Sequence, residues 1–173
     1  MTKDFIQKQM LSDTIYINPK DMNIKNINGL ILVKLKQLRE NKCNTNGIIL
    51  QKSIKFINKT IGKISTIDTS SKIVYNVRYE CEIINPTIGN KIECYINNIS
   101  KMGIIAYIKM DKIIKDYNGS NTLEDSPLII IIPVDDVKEI DKLQVNDKIN
   151  IEVIASRIKF NANKIQIIGK YDE

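Results

Sequence analysis

The side chains that could carry chemistry are few and poorly grouped for catalysis. No histidine occurs among the 173 residues, which removes the commonest general base and metal ligand near neutral pH. Cys43, Cys81 and Cys94 are widely spaced and form no C-x-x-C pair, so they spell neither a zinc set nor a disulfide framework. They read as small apolar residues in a reducing compartment. Asp135-Asp136 is a carboxylate pair, yet neighbouring strand residues point to opposite faces, and the pair reads as a turn. There is no nucleophile motif and no phosphate-cradling glycine loop. No catalytic site, metal or cofactor is expected.

Binding is the better prospect, and charge is the first guide to it. The formal net charge is +6, but it is uneven. Residues 1–85 hold 14 Lys+Arg against 7 Asp+Glu, whereas residues 86–173 hold 12 against 13. Any nucleic-acid site in the second half must therefore be a local patch. The candidates there are the rings of Tyr95 and Tyr107 and the cations Lys101, Lys109, Arg157, Lys159 and Lys164.

Elements must place these residues, and a chain with 43 % hydrophobic content has the apolar residues to fold throughout. The start MTKDFIQKQM has no apolar stretch for a signal peptide, and no apolar run approaches the roughly 20 residues of a membrane span. A soluble intracellular protein without a membrane partner is expected. The abundance of Ile, Asn and Lys matches an AT-rich genome and describes the coding DNA, not the activity.

The first half reads as a short strand at Thr14–Ile17, stopped by Asn18-Pro19, and then a helix near Asn26–Asn41. Asn26 or Asn28 can cap the helix, and Ile27, Leu30, Ile31, Leu35 and Leu38 form its apolar stripe. Strands are expected at Ile48–Phe56, Gly62–Ile67 and Lys72–Ile84, the last alternating Ile73, Tyr75, Val77 and Tyr79 with polar neighbours. One helix on an antiparallel sheet is the expected α+β unit, residues 1–85.

Asn85-Pro86-Thr87-Ile88-Gly89-Asn90 breaks the long strand and marks the expected boundary. Strands then follow at Lys91–Ser100, Gly103–Lys109, Leu128–Pro133, Lys148–Ser156 and Lys164–Lys170, with a polar insert at Asp111–Ser126. Ile149, Ile151, Val153 and Ala155 form the expected inward face of the fourth, and Ile129–Ile132 reads as fully buried. Five short strands in this order fit an OB-fold barrel for residues 86–173. Such barrels hold single strands on aromatic platforms beside a basic groove. Tyr95 and Tyr107 are expected to face outward, Lys109 to sit on the sheet, and Lys101, Arg157, Lys159 and Lys164 to flank it. Weak, sequence-indifferent binding of single-stranded RNA is the expected activity.

Read in order, Asp13–Pro19, the helix, Asn46–Ile49, Ile61–Ile64, Tyr75–Tyr79, Pro86–Gly89 and Asn98–Ala106 resemble the stalk-subunit family of multisubunit DNA-directed RNA polymerases. That family includes the eukaryotic seventh subunit and the archaeal E subunit. The resemblance spans nearly the whole chain. It implies a non-catalytic subunit whose first domain plugs into the polymerase core near the clamp through a tip loop, while the OB domain projects toward nascent RNA during transcription. The segment matching that loop is Asn58–Ile64, so Lys59, Thr60, Ile61, Gly62, Lys63 and Ile64 are the implied docking residues. Family members usually carry glycine in place of Thr60 and an acidic residue in place of Asn90; threonine resists the positive φ that glycine adopts. The implied partners are the large polymerase subunits, a fourth-subunit-like helical protein and nascent RNA. The composition suits a large DNA virus that encodes its own polymerase, which puts the protein in the nucleus, cytoplasm, viral factory or virion. The competing function is a free-standing OB-fold RNA-binding protein or a viral mimic of a translation initiation factor, which leaves residues 1–85 without a role.

Overall fold

The computed structural model describes residues 4–23, 25–65, 67, 71–136 and 142–172, which fall into two compact units. One comprises Gln7–Asn41 and Ile49–Ile83, and the other Met1–Ile6, Lys42–Ile48 and Ile84–Glu173. The architecture is the expected α+β: one α-helix with an antiparallel sheet, and a closed five-stranded barrel in the C-terminal half.

The helix-bearing unit is built on strands β1 (Ile6–Ile17), β4 (Lys55–Lys59), β5 (Lys63–Ile64) and β6 (Ile73–Ile84), with helix α1 (Ile27–Arg39); the short strands β2 (Cys43–Asn44) and β3 (Gly47–Ile49) pair with each other. β6 is the central strand, with β1 along one edge and β4 and β5 antiparallel along the other. Its alternation places Tyr75, Val77, Tyr79, Cys81 and Ile83 on the buried face, where Ile15, Ile17, Ile31 and Leu35 meet them. Asn26 caps α1, its side-chain oxygen accepting the Gly29 N–H at 2.9 Å.

Four expectations are corrected here. The first strand begins at Ile6, eight residues before Thr14; Gln7, Lys8, Gln9 and Ser12 hide an edge strand whose pairing comes from its backbone. The strand expected at Ile48–Phe56 breaks at Leu50–Ile54, where Lys52 takes a positive φ of 60° and donates its N–H to the Glu40 carboxylate at 2.9 Å. Leu38 leaves the helix stripe and is exposed, while Leu32 packs on the core in its place. Of the strand expected at Gly62–Ile67, only Lys63–Ile64 is formed, and Thr66 lies outside the described residues.

The barrel comprises β7 (Lys91–Ser100), β8 (Gly103–Tyr107), β9 (Leu128–Pro133), β10 (Lys148–Arg157) and β11 (Ile165–Asp172), closed in the order β10-β11-β9-β8-β7. β9 and β11 run parallel and the other neighbours antiparallel, an OB-like order. The turn into β8 depends on Gly103, whose φ is +139° and where a Cβ would lie 2.3 Å from the Ile132 carbonyl oxygen. Ser126 closes the insert: its hydroxyl donates to Leu128 O at 2.8 Å and accepts from the N–H groups of Ile108 and Leu128 at 3.2 Å.

Two inward assignments fail. A barrel strand has only one inner face, so Leu128, Ile130 and Ile132 are buried while Ile131 is 41 % exposed. In β10 a bulge between Val153 and Ala155 shifts the register, so that Ala155 faces Ile168 on the outer side.

Candidate functional site

On the barrel, strand pairing draws the sequence-selected residues into one outer row. Tyr95 lies opposite Tyr107, Tyr107 opposite Ile129, Ile129 opposite Gln166, and Gln166 opposite Arg157. Directly paired residues share a face of the sheet, so a ring pair at one end of this row is continuous with a cation at the other. The ring centroids of Tyr95 and Tyr107 are 6.3 Å apart at an interplanar angle of 40°, and the Lys109 ammonium sits 3.9 Å from the centre of the Tyr95 ring. Tyr107 is only 6 % exposed. It therefore packs beneath the surface, and Tyr95 with its covering lysine is the ring that reaches it.

Arg157, Lys159 and Lys164 line an open cleft of about 460 Å³ with Ile129, Asn163 and Gln166. The loop that carries them is held by its backbone: Cys43 N–H donates to Ala162 O at 2.8 Å, and Asn161, at φ 60°, donates to Cys43 O at 2.9 Å. These cations are not equivalent. Lys164 donates to the Leu123 carbonyl, and its burial lowers its pKa. Arg157 and Lys159 stay exposed. Lys101 sits in the turn before β8, at the end of that strand remote from Tyr107; five residues of strand are about 13 Å along the axis from first to last. The arrangement thus gathers six of the seven candidates and leaves Lys101 apart. It can neutralise phosphates at Arg157 and Lys159 and offer the Tyr95 ring for stacking once a base displaces Lys109 from its face. Ile129, Asn163 and Gln166 were not marked by sequence reasoning, because an isoleucine and two amides carry no pattern until the register is known.

The segment Lys59–Ile64 is an interrupted edge strand, not the apex of a loop. Lys59 pairs with Val77, Thr60 N–H donates to Asn76 O at 2.9 Å, and Lys63 and Ile64 pair with Val74 and Ile73. Thr60 is not among the residues with positive φ, so the threonine sits in ordinary backbone. Gly62 fits closely against the sheet; a Cβ there would approach the Tyr75 ring to 2.7 Å. The Lys59 ammonium stands 5.3 Å from the centre of that ring. Ile61 is 86 % and Ile64 71 % exposed, and Ile57 and Ile67 are exposed near them. Such apolar side chains on one edge are a feature that folding of this unit does not require.

Asn90 holds the turn before the barrel through its side-chain oxygen. Its side-chain oxygen accepts from Thr87 N–H at 2.8 Å and from the Thr87 hydroxyl at 3.0 Å, closing the turn that leads into β7. The three cysteines are buried and unpaired with one another. Burial pushes the Cys81 thiol up to about 11 and the Cys94 thiol up to about 12, and thiolate rather than thiol is the reactive and metal-binding form. Among the described residues no helix is long and apolar enough to cross a membrane.

No family model matches the chain. A curated protein of Acanthamoeba polyphaga mimivirus, described as a "putative DNA-directed RNA polymerase subunit", is 26 % identical over 176 residues, covering 92 % of this chain and 78 % of that protein. Over most of its length, then, this chain is similar to a viral DNA-directed RNA polymerase subunit, in agreement with the resemblance carried by its own motifs.

Proposed function

We propose that the chain is a non-catalytic stalk subunit of a DNA-directed RNA polymerase. Its residues 1–85 dock on the core through Lys59–Ile64, and its OB-like barrel, residues 86–173, contacts nascent RNA. Similarity to the mimiviral subunit supports a place in DNA-directed RNA polymerase. The observation that carries the stalk reading is the combination of a five-stranded barrel in OB order with a helix-on-sheet unit whose edge exposes Ile61, between two lysines, and Ile64. An apolar pair interspersed with Lys59 and Lys63 fits an apolar pocket with an acidic rim. On the barrel, Arg157, Lys159 and the Tyr95–Lys109 pair supply phosphate neutralisation and one stacking surface, which suits weak RNA contact.

Tagged chain recovered from cells that naturally make it tests this reading. It is expected to bring down the large polymerase subunits in fixed proportion. Recovery of ribosomal components instead would favour the free-standing RNA-binding protein or initiation-factor mimic.

A further inference from the structure

The excess positive charge lies in the helix-bearing unit, not on the barrel. Gln7–Asn41 and Ile49–Ile83 contain 12 Lys+Arg and 6 Asp+Glu, a net +6 that equals the formal charge of the whole chain. Within this unit a concavity of about 330 Å³ opens over β1, β4 and β6. It is lined by Ser12, Asn58, Lys59, Thr60, Asn76 and Arg78 around Val77, and none of its lining residues is acidic. Arg78 stands opposite Asn58 in the β4–β6 register. Asn76 is fixed from both sides, its side-chain oxygen accepting from the Thr14 hydroxyl and its N–H donating to the Thr60 hydroxyl, each at 3.1 Å. The side chains of Ser12, Asn58 and Arg78 are exposed and have no hydrogen-bond or ion-pair partner among the described residues.

We infer that this concavity is a second contact surface for single-stranded RNA, separate from the barrel loops. Hydroxyls, amides and the Arg78 guanidinium are groups that contact phosphate and sugar. The lining residues include no aromatic or large exposed apolar anchor, which sets it apart from the hot spot of a protein interface. Ser12, Asn58 and Asn76 can accept as well as donate, so they suit a 2′-hydroxyl beside the phosphate. The unit's net charge attracts an RNA strand from a distance.

The test uses the full chain and a 20-nucleotide single-stranded RNA of mixed sequence, with DNA of the same sequence as the second arm, titrated from low to physiological salt. Arg78→Glu is expected to weaken RNA binding about tenfold and to reduce the magnitude of the salt slope by about 1. Arg78→Lys is expected to stay within about threefold of wild type, because it keeps the charge. DNA is expected to bind more weakly than RNA and to respond less to Asn58→Ala. Should Arg78→Glu prove misfolded by circular dichroism, Asn58→Asp places the opposing charge on the facing strand and is expected to give the same loss. The inference is overturned if Arg78→Glu folds and binds RNA as wild type does while Arg157→Glu/Lys159→Glu loses binding; the barrel contact then stands alone. It is equally overturned if Arg78→Glu leaves RNA affinity unchanged but blocks entry into polymerase, since the surface then belongs to a protein contact.

Discussion

Arg39, in the last turn of α1, clasps Asp13 of β1 with both ends of its guanidinium, Nε to Oδ2 at 2.9 Å and Nη2 to Oδ1 at 2.5 Å. The buried Tyr79 donates its hydroxyl to the same carboxylate at 2.7 Å. The hydrogen bond that Arg39 donates to Asp13 raises the Arg39 pKa, and burial, with the carboxylate beside it, raises that of Tyr79. A residue that belongs by spacing to the solvated side of the helix thus ties helix to sheet.

Asp13→Ala is accordingly expected to cost about 2 to 4 kcal/mol, because it leaves a partly buried guanidinium and a buried hydroxyl unpaired. Tyr79→Phe, which removes only one donor, is expected to cost about 1 kcal/mol. Urea unfolding followed by circular dichroism measures both, and equal values for the two would show that the carboxylate is not the hub.

Alkaline stability follows from Tyr79, Cys81 and Cys94, all of which lose a proton less readily in the fold than in the open chain. For an acid whose folded pKa is raised, stability is full below the unfolded value and falls as pH climbs toward the folded one. Stability is therefore expected to hold up to about pH 9 and then decline toward 11 and 12, by as much as about 1.4 kcal/mol per pH unit for each group. With no histidine in the chain, it is expected to be level between about pH 6 and 8. Thermal melts across this range check the window, and the native protein is expected to resist thiol alkylation at pH 8.

Gly103 is the glycine least open to replacement. Gly103→Ala forces a side chain onto the Ile132 carbonyl oxygen, 2.3 Å from the ideal Cβ, at a φ of +139°. The expected loss is about 2 to 4 kcal/mol, read as an earlier unfolding midpoint. Gly89, whose φ is +87° but which has nothing within 4 Å, is expected to lose only about 1 kcal/mol on the same change.

The order of the elements was legible from alternation and punctuation: Pro86 and Gly89 at the boundary, the apolar alternation of β6 and β7, and the Asn26 cap all act locally. What escaped the sequence is what only a partner strand decides. The outward turn of Ile131, the bulge at Ala155 and the edge placement of Ile61 depend on register and on which face a neighbour covers. The candidate site divides the same way. Arg157 and Lys159 are exposed as their loop position suggested, whereas Lys164 and Tyr107 were expected at the surface and are engaged inside it.

RNA binding by the barrel is expected to be micromolar or weaker, with a salt slope of about −2, as Arg157, Lys159 and Lys109 neutralise three phosphates. Lys159→Ala is expected to reduce that slope by about 1. Lys164→Ala, which removes an ammonium already bonded to Leu123, is expected to alter stability more than affinity. Tight binding that ignores salt would contradict the phosphate-based account.

Docking through Lys59–Ile64 is tested most directly by the stoichiometry of incorporation of Ile61→Asp/Ile64→Asp into purified polymerase at high salt. Both side chains are exposed, at 86 % and 71 %, so the variant is expected to fold and melt as wild type does. Its incorporation is expected to fall by several kcal/mol, because an unpaired carboxylate buried in an apolar pocket is costly. Retention of the folded double variant at wild-type stoichiometry would contradict the account and move the docking surface elsewhere.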